Sequence, residues 1–128
     1  VALGSGGGSL GEAMKAGRMI RARKLDTTLS KKCESSCVWV FLGGVRRDVL
    51  RPRPEIGFHQ PSTRDGKPYP ADHEVYRILR DYIVEMGGNA EETMGLVMNT
   101  PPDQVTFGDH CATGMATFVQ GFGKCEDQ

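Results

Sequence analysis

Two serines sit between two cysteines in Cys33-Glu34-Ser35-Ser36-Cys37, and an apolar run over 38–42 follows at once. A run of that length has to be buried, so it carries the serines to the mouth of a core. If the run is a helix, its first N–H groups have no intrahelical acceptor and point outward, which suits both a nucleophile and an oxyanion. Downstream, Ile56-Gly57-Phe58-His59-Gln60-Pro61 offers a histidine at the end of an apolar segment. Upstream, Ser5-Gly6-Gly7-Gly8-Ser9 offers a loop whose backbone can approach a substrate closely. A serine, a histidine and a glycine loop are the parts of an acyl-transfer site.

Each part also has a plainer reading. A serine ahead of a helix commonly serves only as its N-cap, and Ser36 competes with Ser35 for either role. A histidine at a strand end is often no more than a hydrogen-bonded packing residue, and His73 and His110 read as surface residues. The turn at Gly7-Gly8 would suit a phosphate, but no lysine-serine signature follows it. The three parts together in one short chain favour the chemical reading.

The elements that would position them follow from the pattern. Residues 1–3 read as the end of a buried strand, with upstream residues expected to be missing from a first unit. Ser9 and Glu12 form a capping box for a helix over 10–24, whose Ala13, Met14, Gly17 and Ile20 face inward. Strand, glycine turn and helix open a βαβ unit. A short strand is expected over 25–29, a short buried helix over 37–42, and a partly exposed sheet edge over 45–50. Pro52 and Pro54 break the chain before a strand over 55–59 that delivers His59. A loop over 62–70 leads to a helix capped by Asp72 and ended by Gly87-Gly88. Asn89 caps another helix over 90–98. A strand is expected near 105–107, and 106–128 reads as an irregular tail.

The 128 residues suffice for a single domain with a real core, spanning 1–128. Sixteen basic and sixteen acidic residues cancel, which removes the electrostatic case for nucleic acid or an anionic membrane as partner. No apolar stretch approaches the roughly 18 residues of a membrane span. The four cysteines allow three pairings and do not have zinc-site spacing. In an oxidising compartment Cys111 with Cys125 is the favoured bond, with Cys33–Cys37 as a second that would lock the turn presenting Ser35. Free buried thiols in a cytoplasmic protein are the alternative.

With Ser-Gly-Gly-Gly-Ser-Leu, Cys-Glu-Ser-Ser-Cys before an apolar run, and Gly-Phe-His-Gln-Pro in that order, the chain resembles the Clp protease proteolytic subunit. It looks closest to exported single-domain relatives of that fold. The likeness runs from Val1 to about Phe107, with Gly6 where the family usually has proline. It implies an α/β Clp/crotonase-like fold of repeated ββα units with a truncated N-terminal unit. It makes Ser35 the nucleophile and His59 the general base, with the N–H groups of Gly7 and Ser36 as oxyanion donors. Gly8 and Gln60 would contact substrate. Asp103 would complete a triad, with Asp109 as the fallback. The implied activity is that of a serine peptidase needing neither cofactor nor metal, acting on a peptide or protein substrate. A homo-oligomer in the periplasm or otherwise exported is implied too. The rival readings are a catalytically silent peptide-binding scaffold and crotonase-like acyl-CoA chemistry.

Overall fold

The structure is a computed structural model describing residues 2–3 and 9–128. In chain order the described elements are β1 (Ala2–Leu3), α1 (Leu10–Ala22), β2 (Thr27–Leu29), β3 (Cys33–Glu34), α2 (Ser36–Leu42), β4 (Arg47–Val49) and β5 (Ile56–Phe58). Then come α3 (Glu74–Glu85), α4 (Ala90–Met98), β6 (Thr106–Gly108), β7 (Phe118–Val119), β8 (Gly123–Lys124) and a 3-10 turn over Cys125–Asp127. The class is mixed α/β. One sheet has the order β1-β2-β4-β7-β8, parallel throughout except for β8; the other is β3-β5-β6, with only β6 antiparallel. The chain passes from one sheet to the other after β2, β3, β4 and β6, and α2 packs against both, touching α1, β2, β3 and β5. Its Cys37, Val38, Trp39, Phe41 and Leu42 are all buried.

Helices α1, α3 and α4 start where side chains satisfy free backbone donors. Ser9 Oγ accepts from the Glu12 N–H at 3.1 Å, and Asn89 Oδ1 accepts from the Glu92 N–H at 3.1 Å. For α3 the cap is His73, whose Nδ1 accepts from the Val75 N–H at 3.0 Å, so the expected cap at Asp72 is off by one residue. Gly87, at φ +82, lets the chain leave α3 through the left-handed region. Tyr76, Leu79, Tyr82 and Ile83 of α3 are buried within the chain itself.

Two expectations are corrected. The segment over 45–50 is no edge: β4 lies between β2 and β7 with Arg47 and Val49 buried. An arginine usually marks solvent, but here the guanidinium donates to the carbonyls of Met115, Gly44, Met86 and Gly114 at 2.8–3.3 Å. Arg21 joins it, donating to Leu42, Gly43, Gly44 and Met86 carbonyls. The tail is not wholly irregular either, since β7 adds to β4 and β8 turns back on β7. Two-residue strands leave no periodic trace in a sequence, and the tail is tied by the Cys111–Cys125 disulfide.

Helices α1 and α2 meet at two glycines. A Cβ on Gly43 would lie 2.4 Å from the Gly17 carbonyl oxygen and 2.5 Å from its Cα, a clash with backbone that no rotamer relieves. Gly43→Ala should therefore destabilise by about 3 kcal/mol, measured by thermal or urea unfolding. Unchanged stability would contradict the close crossing. Tyr82 Oη, fully buried, donates to the Trp39 carbonyl at 2.6 Å. Burial pushes its phenol up to about 12, against about 10 in an unfolded chain. A raised folded value means its contribution is complete below pH 10 and is lost as pH climbs towards 12. Arg47, pulled down to about 10 by burial and by Arg21, acts in the opposite sense over the same range. The difference between wild type and Tyr82→Phe isolates the phenol: the variant should be less stable by about 1 kcal/mol at neutral pH. That gap should narrow between pH 10 and 12, and a constant gap would rule the linkage out.

Candidate active site

Neighbouring parallel strands bring Ser35 and His59 to the same end of one sheet. β3 and β5 pair Cys33 with Ile56 and Glu34 with Gly57, so Ser35 leaves the C-terminal end of one strand and His59 that of the other. Paired strands run about 4.8 Å apart. Both residues line one cleft of about 460 Å³, a size that accepts a small ligand or a few residues of peptide. Leu10 and Met14 of α1, Trp39 of α2, Phe58, and Leu79 of α3 supply apolar walls. The Trp39 and Phe58 rings pack at 6.0 Å between centroids.

Ser35 stands at φ 58, ψ −129, a conformation that costs a side-chain-bearing residue about 1–3 kcal/mol. This backbone turns the chain sharply from β3 into α2 with Ser35 at the corner. It occupies the N-cap position, yet its side chain makes no capping hydrogen bond, so capping does not account for the serine. The Cys33–Cys37 disulfide, with Cα atoms 5.5 Å apart, braces the corner from both sides. Ser36 is buried, opens α2 as its first residue and also lines the cleft.

His59 is half-buried and its Nδ1 lies 2.8 Å from the Gln60 carbonyl oxygen. A carbonyl only accepts, so Nδ1 carries the proton and the neutral ring keeps its basic lone pair on Nε2. Among the described residues Ser35 Oγ and His59 share no hydrogen bond; apo sites often tighten only around substrate. The Gln60 N–H donates to the Thr100 carbonyl at 2.9 Å, and its side-chain amide donates to the Met98 carbonyl at 2.8 Å. Gln60 thus ties the histidine turn to the end of α4 and does not line the cleft.

Asp103 is exposed in the turn after α4 and lies outside the cleft lining, and Asp109 accepts from the Cys111 and Ala112 N–H groups at 3.0 and 2.7 Å. The group orienting His59 is a main-chain carbonyl, which no side-chain pattern announces. Gly7 and Gly8 lie outside the described residues. Sequence reasoning did not single out Trp39, Tyr69 and Arg64, which also line the cleft. Of these only Trp39 carried a signal, its place in the apolar run after the serines. Among the described residues no cluster of three or more His, Cys, Asp or Glu could hold a metal ion, and no helix is long and apolar enough to cross a membrane.

Removing the brace should loosen the corner. The double variant Cys33→Ser, Cys37→Ser should lose about 2 kcal/mol of stability in the chain-entropy view of so short a loop, with the melting temperature as readout. A melting curve superimposable on wild type would show that the bond does not support the turn. The chain matches no protein-family model and no curated protein.

Proposed function

We propose that the chain is a serine hydrolase of the Clp/crotonase-like fold that cleaves peptide or protein substrates, with Ser35 as nucleophile and His59 as base. The observation carrying this reading is the backbone of Ser35: a strained, uncapped serine at a strand-to-helix corner, at the end of the sheet that also delivers His59. Ser35 Oγ attacks the scissile carbonyl carbon as its proton passes to Nε2 of His59. The Ser36 N–H, at the start of α2, holds the resulting oxyanion. His59 returns the proton to the leaving amine, and water then releases the acyl group by the same route. The Gln60 carbonyl keeps the tautomer and steadies the imidazolium through Nδ1–H, a neutral acceptor where triads use a carboxylate.

A neutral orienting group weakens the base, and that favours one second reading, a scaffold that binds peptide in the same cleft without turnover. The two disulfides support an exported, oxidising setting such as the periplasm. A homo-oligomer belongs to the same proposal; with the apolar face of α3 turned into its own chain, an interface would use other surfaces.

A fluorophosphonate probe separates hydrolase from scaffold. Intact-mass spectrometry should show one adduct on wild type and none on Ser35→Ala. His59→Ala should slow labelling by about 100-fold or more, the usual worth of a general base. No adduct on folded wild type at neutral pH would leave the scaffold.

A further inference from the structure

One charged side chain stands on the cleft, and its setting gives it a use. Among the described residues that line the cleft, Arg64 alone carries a charge, and no described carboxylate pairs with it. It occupies the corner of a built turn. The Gly66 N–H donates to the Thr63 carbonyl at 3.0 Å and the Thr63 N–H to the Lys67 carbonyl at 2.8 Å, while a bridge between Ser62 and Pro68 joins the two legs. The neighbouring acid is engaged within the turn: Asp65 accepts from the Thr63 hydroxyl and lies 4.0 Å from Lys67 Nζ. The turn therefore places an exposed, uncompensated guanidinium on the lining of a cleft whose walls also include Tyr69 and Trp39.

We propose that Arg64 selects substrates by a carboxylate placed near a bulky apolar residue. The apolar side chain fills the space between Trp39, Phe58 and Leu79, and the carboxylate meets the guanidinium at the rim. This rests on the cleft being a peptide site, the reading proposed above, and names the peptide class it takes. Both an Asp or Glu side chain and a peptide C-terminus offer that group, and guanidinium geometry suits either. The site lies at the rim, where an ion pair is partly screened, so its contribution is to preference more than to bulk affinity.

Trp39 is the chain's only tryptophan, buried and on the cleft wall, so its fluorescence reports occupancy without a label. Ser35→Ala protein is titrated with four capped peptides. Acetyl-Ala-Leu-Ala-Glu-amide and its Gln counterpart test a side-chain carboxylate. Acetyl-Ala-Leu-Ala-Ala as free acid and as amide test a terminal one. In at least one pair the acid should bind roughly threefold to tenfold more tightly at low salt, the range of partly exposed to charge-assisted pairs. That advantage should shrink in 0.5 M salt and vanish in Ser35→Ala, Arg64→Gln. The pair that discriminates identifies the source of the carboxylate. Equal binding within both pairs, an advantage that survives Arg64→Gln, or no fluorescence response to any peptide from folded protein would overturn the assignment. The hydrolase reading fails separately: an unlabelled wild type with an Arg64-dependent preference keeps this inference and loses that one. A labelled protein without charge preference does the reverse.

Discussion

Arg47 places a guanidinium inside the protein, where it reaches the carbonyls of Gly44, Met86, Gly114 and Met115, and Arg21 shares two of these and adds Leu42 and Gly43. A buried cation left without partners would cost several kcal/mol. Here every acceptor is neutral, but several sit at helix C-termini, where unpaired carbonyls concentrate partial negative charge. The carbonyls of Leu42, Gly43 and Gly44 close α2, and that of Met86 closes α3. The far end of α2 is thereby pinned to the sheet and to α3. Its near end carries Ser35, so the direction in which the serine points is set from more than one turn away.

Between those ends α2 has little room to move. The glycine contact with α1 fixes its height, the Tyr82 hydroxyl holds its middle through the Trp39 carbonyl, and the Cys33–Cys37 disulfide holds its start. A residue at φ 58 without glycine's freedom persists only where its surroundings over-determine it. The fold meets that condition at Ser35 with covalent, steric and hydrogen-bonded restraints from three elements.

Much of this was legible in the chain. Ser9 and Asn89 announce their helices because capping chemistry is local, and the apolar run after Cys37 announces α2 because burial is. Ser35 and His59 were visible as residue types. Their convergence was expected only through the family resemblance, because it depends on the register of β3 with β5, a pairing across more than twenty residues. Arg47 misled for the same reason: its carbonyl partners are scattered along the chain and carry no side-chain signature. His73 displaced Asp72 as a cap through a ring nitrogen, a choice that composition does not rank.

The sheet also carries a consequence for the order of events during biosynthesis. Arg47 finds two of its acceptors, Gly114 and Met115, and its backbone N–H finds Thr117 Oγ1, 67 to 70 positions later in the chain. A nascent chain that has emerged only as far as α4 holds β4 as a bare edge and Arg47 half-satisfied. Residues 114–119 complete the Arg47 shell and extend the sheet past β4. The restraints on α2 itself, from Gly17, Tyr82 and the Cys33–Cys37 bond, all lie earlier in the chain, and no residue beyond 79 lines the cleft. Residues up to 79 shape the cleft, and the strands after 117 close the sheet, so the two tasks fall to opposite ends of the chain.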